Sequence, residues 1–288
     1  MARISTAGLG FVIVAAMVVA SGTTGAAAAA PDYYLAVGGS GSIGFQPTAQ
    51  RPLGQPTDAG YANDLLKTEA ARWSNLKLLQ IGCPGETTAD ALLGSGPCHY
   101  ALGSQLATAV WMLRLHTSTV LITVDLGFND IVPCLERHQV DEPCVDRALT
   151  QVHTQLLATL TLLKTVAGPN ARIVGVDHYD PYLSAYRDGP SGQTFARSTL
   201  DVISRLDDTM QDDYAAAGIP MADVASAFHM DDVTPTPLPD GEVVPRNVAE
   251  VCDLTWKCAP RPLGPNPHPD DEGYRAIAEA ISDTLGAH

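Results

Sequence analysis

Five short apolar runs, separated by longer stretches of helical spacing, constrain this chain more than any other feature. Residues 33–37, 76–81, 119–124, 172–176 and 220–224 read as strands. Between them, residues 63–73, 104–115, 145–166 and 199–217 carry apolar side chains at helical spacing, and 271–285 closes the chain as a further helix. Gly168 and Pro169 stop one of these helices; Gly218, which lacks a Cβ, suits the C-cap of another. Such alternation predicts an α/β fold whose mostly parallel sheet is covered on both faces. Ligands of such sheets sit beyond the carboxyl ends of the strands. The proline-rich stretch 231–269 is expected to be irregular. No internal repeat and no linker divides the chain.

The N-terminus has a separate logic. Arg3 supplies a basic start, residues 7–20 are almost wholly apolar, and small residues fill 21–30. That is the pattern of a secretory signal peptide. The run is shorter than the ~20 residues of a membrane span. Residues 1–30 are therefore expected to be a signal peptide, cut within 25–30, leaving 31–288 as one secreted domain. Its roughly 260 residues suffice for a core of its own. The six cysteines form three close-set pairs, Cys83 with Cys98, Cys134 with Cys144, and Cys252 with Cys258. In an exported chain an even count reads as disulfides, and each pair brackets a short loop. None has the tight spacing of a zinc site, so no metal is expected. The net charge of −15, from 32 acidic and 17 basic residues, argues against nucleic acid and anionic membrane surfaces as partners.

Four segments hold residues suited to chemistry. Gly38, Gly39, Ser40, Gly41 and Ser42 follow the first strand, where a sharp turn presents a serine hydroxyl among small neighbours. Gly39, Gly41 and Gly44 also fit a dinucleotide fingerprint. That fingerprint needs a helix opening at the glycines, whereas Pro47, Pro52 and Pro56 follow here. The G-x-S-x-G elbow is not met at Ser40 or at Ser42. Gly82 to Thr88 follow the second strand, and Gly85 there can turn a backbone N–H toward an oxyanion. Asp125, Leu126, Gly127, Phe128, Asn129 and Asp130 follow the third, and the Asn129 amide is a further donor. His268, between Pro267 and Pro269, precedes the last helix and can act as a base. The segment Asp177, His178, Tyr179, Asp180 reads as a loop lining the cleft.

Serine near the mature N-terminus, glycine after the second strand, Gly-x-Asn-Asp after the third and His-Pro before the last helix occur here in the order found in one family. The chain resembles the SGNH, or GDSL-like, hydrolases along nearly its whole mature length. Gly127, Phe128, Asn129 and Asp130 are the most specific part of the match. The resemblance implies a three-layer α/β/α sandwich on about five parallel strands. It implies a secreted esterase or lipase that cleaves carboxylic esters without a cofactor. Ser40 would be the nucleophile and His268 the base; the Ser40 and Gly85 N–H groups and the Asn129 side chain would form the oxyanion hole. A small-molecule or lipid ester is the implied substrate; a monomer is expected, but the sequence does not fix the oligomeric state.

Two positions depart from the family pattern. Gly39 stands where the family usually has Asp, and Pro265 stands three residues before the histidine, where the family carries the Asp that orients the imidazole. The expectation is a Ser–His dyad with the Pro265 carbonyl accepting the imidazole Nδ1–H. Asp253, Asp270 and Asp271 are alternatives. A polysaccharide O-deacetylase and a degenerate, non-catalytic binding protein are the competing functions.

Overall fold

A computed structural model describes residues 30–135 and 137–286; the expected signal peptide lies, but for Ala30, outside these residues. The sheet elements are β1 (Asp32–Gly38), β2 (Leu76–Gln80), β3 (Thr119–Asp125), β4 (Arg172–Val176) and β5 (Met221–Ala222). All pair in parallel, in the order β2-β1-β3-β4-β5. This is the flavodoxin-like order, with its switch point between β1 and β3. Gly38 and Asp125 are the last partners in that register, so both chains leave the sheet side by side.

Period-two alternation builds two cores from one strand. Leu35 and Val37 of β1, with Ile122 and Val124 of β3, face α3 (Gln105–Leu115), α5 (Glu142–Val166) and α6 (Pro190–Ala217). Tyr34, Ala36 and Leu121 face α1 (Tyr61–Thr68), α8 (Arg246–Leu254) and α9 (Asp271–Gly286). Residues 34–37 are at most 1% exposed, as expected of a strand covered on both sides. The α/β/α layering expected of the family is present. Gly175 in β4 is required by packing: a Cβ there would lie 2.4 Å from the Tyr214 ring, whose hydroxyl donates to the Val124 carbonyl at 3.0 Å.

Three differences from expectation bear on the architecture. Helix α6 starts at Pro190 rather than 199, because Pro at its first turn costs nothing there and Phe195 and Ala196 already bury an apolar face. Strand β5 is only two residues long. The stretch 231–269 is not wholly irregular. It contains the antiparallel pair β6 (Pro235–Pro237) and β7 (Val243–Pro245), followed by α8. Proline disguises that pair, but it is tolerated in a two-stranded edge ribbon. Helix α8 then buries Val248, Ala249 and Val251. The three cysteine pairs are joined as expected, Cys83–Cys98, Cys134–Cys144 and Cys252–Cys258. Among the described residues no helix is long and apolar enough to cross a membrane.

Candidate active site

The chain after β1 is held mainly by backbone. Gly38 has φ 148°, and a Cβ there would lie 2.3 Å from the Asp125 carbonyl oxygen, so β1 can leave β3 this closely only with glycine. The Gly39 N–H then donates to that carbonyl at 2.8 Å. Ser40 opens a single 3-10 turn, Gly41–Ile43, and its carbonyl accepts from Ile43 and Phe45. The Ser42 hydroxyl closes the turn on the Gly39 carbonyl at 2.8 Å.

Two side chains from elsewhere brace this turn. Gln105, fully buried, accepts the Gly38 N–H at 2.8 Å through Oε1 and donates Nε2 to the Gly38 carbonyl at 3.0 Å. The Asp125 carboxylate accepts the Ser42 N–H, and burial pushes its pKa up to about 7. His178 is also near, with Nδ1 3.9 Å away, and its buried Nε2 has no partner among the described residues. Burial lowers the His178 pKa to about 4.

Gly85 stands exposed with φ 79°. Asn129, in the short helix α4 (Phe128–Ile131), donates one Nδ2 hydrogen to the Glu86 carbonyl at 3.0 Å, leaving the second available. The next motif residue, Asp130, accepts from the Thr88 N–H at 2.9 Å and the Thr88 hydroxyl at 2.7 Å. Thus Gly-x-Asn-Asp fastens the loop of Gly85 to the end of β3 and to the start of α2 (Thr88–Leu93). A Cβ at residue 39 would sit 3.0 Å from Asn129 Nδ2. Glycine at 39 lets that amide approach the serine turn, which gives a local reason for the departure there.

The histidine side differs from expectation. His268 Nδ1 lies 2.7 Å from Asn266 Oδ1, and the His268 backbone N–H reaches the same atom at 3.1 Å. A backbone N–H can only donate, so the Asn266 atom facing it is the oxygen. Nδ1 therefore carries the proton and donates it, and Nε2 keeps a lone pair. Asn266 is 6% exposed, between the exposed Pro265 and Pro267. The expected Pro265 carbonyl is thus not the acceptor: Pro265 lines a different cavity, and the amide one residue nearer the histidine takes the bond. The loop is pinned by Trp256 N–H to the His268 carbonyl (3.0 Å), Asn266 N–H to the Trp256 carbonyl (3.1 Å) and the Tyr179 hydroxyl to the Pro267 carbonyl (2.7 Å). Burial brings the His268 pKa down to about 4, so the imidazole is neutral at neutral pH.

Ser40, Gly85, Asn129 and His268 line one cavity of about 270 Å³, together with Phe128, Val132, Val176, His178 and Tyr182. The structure brings all four sequence-derived residues together and leaves Pro265 outside. Asn266 and Gln105 were not singled out in the sequence, and Asp125 stood there only as the start of the third segment, without a role. Of these only Asn266 had a local signal, since an Asn side chain commonly bonds the backbone N–H two residues on.

A cleft at the switch point of a parallel sheet, with a serine turn on one wall and an oriented neutral imidazole on the other, defines a hydrolase-like site. A profile of the GDSL-like lipase/acylhydrolase family matches residues 36–276, and the chain belongs to that family. It is accordingly a hydrolase of the esterase/lipase type. No curated protein matches the chain. Among solved structures, it is similar to an extracellular lipase from Streptomyces rimosus, with 17% identity, 88% of this chain and 99% of that one covered, and a TM-score of 0.54. A lipase from a goat rumen metagenome shares 15% identity, covering 88% and 97%, at 0.55. Phospholipase A1 from Streptomyces albidoflavus shares 17%, covering 88% and 100%, at 0.50. At these identities the likeness is one of fold.

Proposed function

We propose that the protein is a secreted serine esterase cleaving carboxylic esters through an acyl-serine intermediate. The reading rests on one observation above the others. Asn266 Oδ1 is fixed as an acceptor by the His268 N–H, so it selects the Nδ1–H tautomer and frees Nε2 as a base. In serine proteases, replacing the triad Asp by Asn costs about 10⁴ in rate because the tautomer is wrong. The amide here is turned the other way and orients the ring correctly, though it brings no full charge.

Ser40 Oγ attacks the ester carbonyl carbon as His268 Nε2 takes its proton. The carbonyl π electrons move to oxygen, among the Ser40 N–H, the Gly85 N–H and the free Asn129 N–H. Collapse breaks the bond to the alkoxy group, which leaves with the proton from Nε2. Water, deprotonated by the same nitrogen, then releases the acid and restores Ser40. Phe128, Val132 and Val176 make part of the wall apolar, and a volume of about 270 Å³ suits a short acyl chain. Cleavage after residues 25–30 and export fit three disulfides.

The test is hydrolysis of p-nitrophenyl esters from acetyl to palmitoyl by the mature protein and by Ser40→Ala. Activity that peaks at short chains and vanishes in the variant supports the reading. Equal inertness of both proteins, with no fluorophosphonate labelling of Ser40, would leave a binding role in the same cleft.

A further inference from the structure

Beyond Tyr182, which borders the cleft, lies a second cavity of about 580 Å³. Its ionisable lining includes Arg137, His138, Arg187, Asp188, Glu242 and Lys257. Two of these groups, Arg187 and Glu242, are paired with each other. Arg187 gives Nε to Glu242 at 2.8 Å and a terminal nitrogen to Asp240 at 2.5 Å. His138 Nε2 faces Asp188 at 3.8 Å. Asp180, buried behind Tyr182, accepts from the Thr199 hydroxyl and the Tyr182 N–H, both at 2.8 Å.

Lys257 differs. Its half-buried ammonium lies 5.5 Å over the Tyr182 ring, and among the described residues it has no hydrogen bond and no carboxylate within 4.0 Å. Burial lowers its pKa, and the more distant Asp180 and Asp188 offset this only in part. Its backbone is not free to carry the charge out into water. The Lys257 N–H donates to Thr255 Oγ1 at 3.1 Å, Trp256 holds the His268 carbonyl, and Cys258 is tied to Cys252. The turn that steadies the base thus presents to the neighbouring cavity an ammonium that has no hydrogen-bond or carboxylate partner among the described residues. Pro265 lines that cavity, while Pro267 and His268 line the cleft.

We propose that the second cavity is a subsite for an anionic group, phosphate or carboxylate, carried by the ester substrate and received by Lys257 with Arg137. The proposal rests on the ester-hydrolase reading of the cleft and adds to it a substrate class. A partly desolvated ammonium is costly without a counter-charge, and Lys serves as a point charge for phosphate or carboxylate. Tyr182, between the two cavities, would lie beside the chain linking the ester to the anion.

Two matched pairs test it and separate the two sources of the anion. On the acyl side, p-nitrophenyl butyrate is compared with p-nitrophenyl hemisuccinate. On the alcohol side, 1-butyrylglycerol is compared with its 3-phosphate. The wild type should favour the anionic member of one pair by about tenfold in kcat/KM. Lys257→Gln should lower that anionic-to-neutral ratio about tenfold, and Lys257→Arg should retain most of it, as expected for loss and retention of a half-buried charge contact. Binding of inorganic phosphate by calorimetry gives a readout independent of turnover, with saturation in the wild type and loss in Lys257→Gln. Ratios equal in wild type and Lys257→Gln for both pairs, without phosphate binding, overturn the subsite. Failure of the neutral esters alone, with phosphate still bound through Lys257, instead overturns the ester-hydrolase reading.

Discussion

The two walls of the cleft are built by different means. Ser40 follows a central strand, and its turn is defined by the Gly38–Asp125 register and by backbone bonds to the end of β3. His268 sits in a loop between α8 and α9, and its imidazole is defined by one side-chain bond to Asn266. A backbone-built wall inherits the rigidity of the sheet. A side-chain-built wall has a single point of failure, and substitutions on the two walls should fail in different currencies.

The largest expected effect follows. Asn266→Ala removes the acceptor from Nδ1 and frees both tautomer and ring, so kcat should fall by about 10²–10⁴, the range of general-base assistance, with little change in KM. Steady-state kinetics on p-nitrophenyl butyrate check this, and an unchanged kcat would show that the loop alone orients the ring. Asn266→Asp sharpens the point. A carboxylate beside Nδ1 stabilises the imidazolium and raises the His268 pKa. The proposed mechanism requires the neutral imidazole, so the acid limb of kcat/KM should move upward from about pH 4.

Asn129→Ala comes next. In the proposed mechanism it removes one donor to the oxyanion, for an expected loss of about 10²–10³ in kcat. Because Asn129 also holds the Glu86 carbonyl, a small fall in Tm should accompany it.

On the serine wall the corresponding substitution is Gln105→Leu. It leaves the Gly38 N–H without its side-chain partner and costs the Gly38 carbonyl one of two bonds, since the Cys83 N–H still reaches that carbonyl at 3.1 Å. At about 1–3 kcal/mol for a buried orphaned group, the loss should appear in denaturant unfolding. Variant that remains folded should keep kcat within a few-fold, because the ladder still sets the turn. A kcat collapse in fully folded Gln105→Leu would break the contrast between the walls.

The same contrast explains what was legible in the sequence. Ser40, Gly85 and Asn129 each follow a strand whose apolar run announces it, so motif order and strand order agree. His268 precedes a helix that its spacing reveals. The partner of His268 could not be read in this way. Position 265, three residues before the histidine, holds proline, and its carbonyl stood in for a missing side chain. The amide at 266 instead folds onto its own backbone two residues on, an Asx-type bond whose signal is short and easily passed over. Gln105 lies 67 residues from Gly38, and no local pattern links them. The hairpin and α8 within 231–269 were hidden because proline, read as a breaker, here occupies edge strands and the residue before the helix.

The smallest expected effect concerns both walls together, through pH. Burial raises the carboxyls of Asp125, Asp177 and Asp180 to about 7, Asp130 to about 6 and Asp207 to about 9, against an ordinary 3.8. The folded state therefore holds protons that the unfolded state has released. The stability this confers is full below about pH 4 and is lost as pH rises through the folded values. His178 and His268, lowered to about 4 from 6.5, act oppositely: the unfolded state binds the extra protons, so they add stability as pH rises from 4 to 6.5. The two trends oppose one another up to about pH 6.5, but five carboxyls outweigh two imidazoles, so stability already falls with rising pH there. Above it only the carboxyls titrate differentially, so Tm should decline from pH 6.5 to 9. Asp125→Asn removes one of these groups from the serine wall while keeping an oxygen for the Ser42 N–H. The variant should show a shallower decline than the wild type in calorimetric scans. An unchanged slope would mean that Asp125 takes up no extra proton on folding, and that the other raised carboxyls carry the decline.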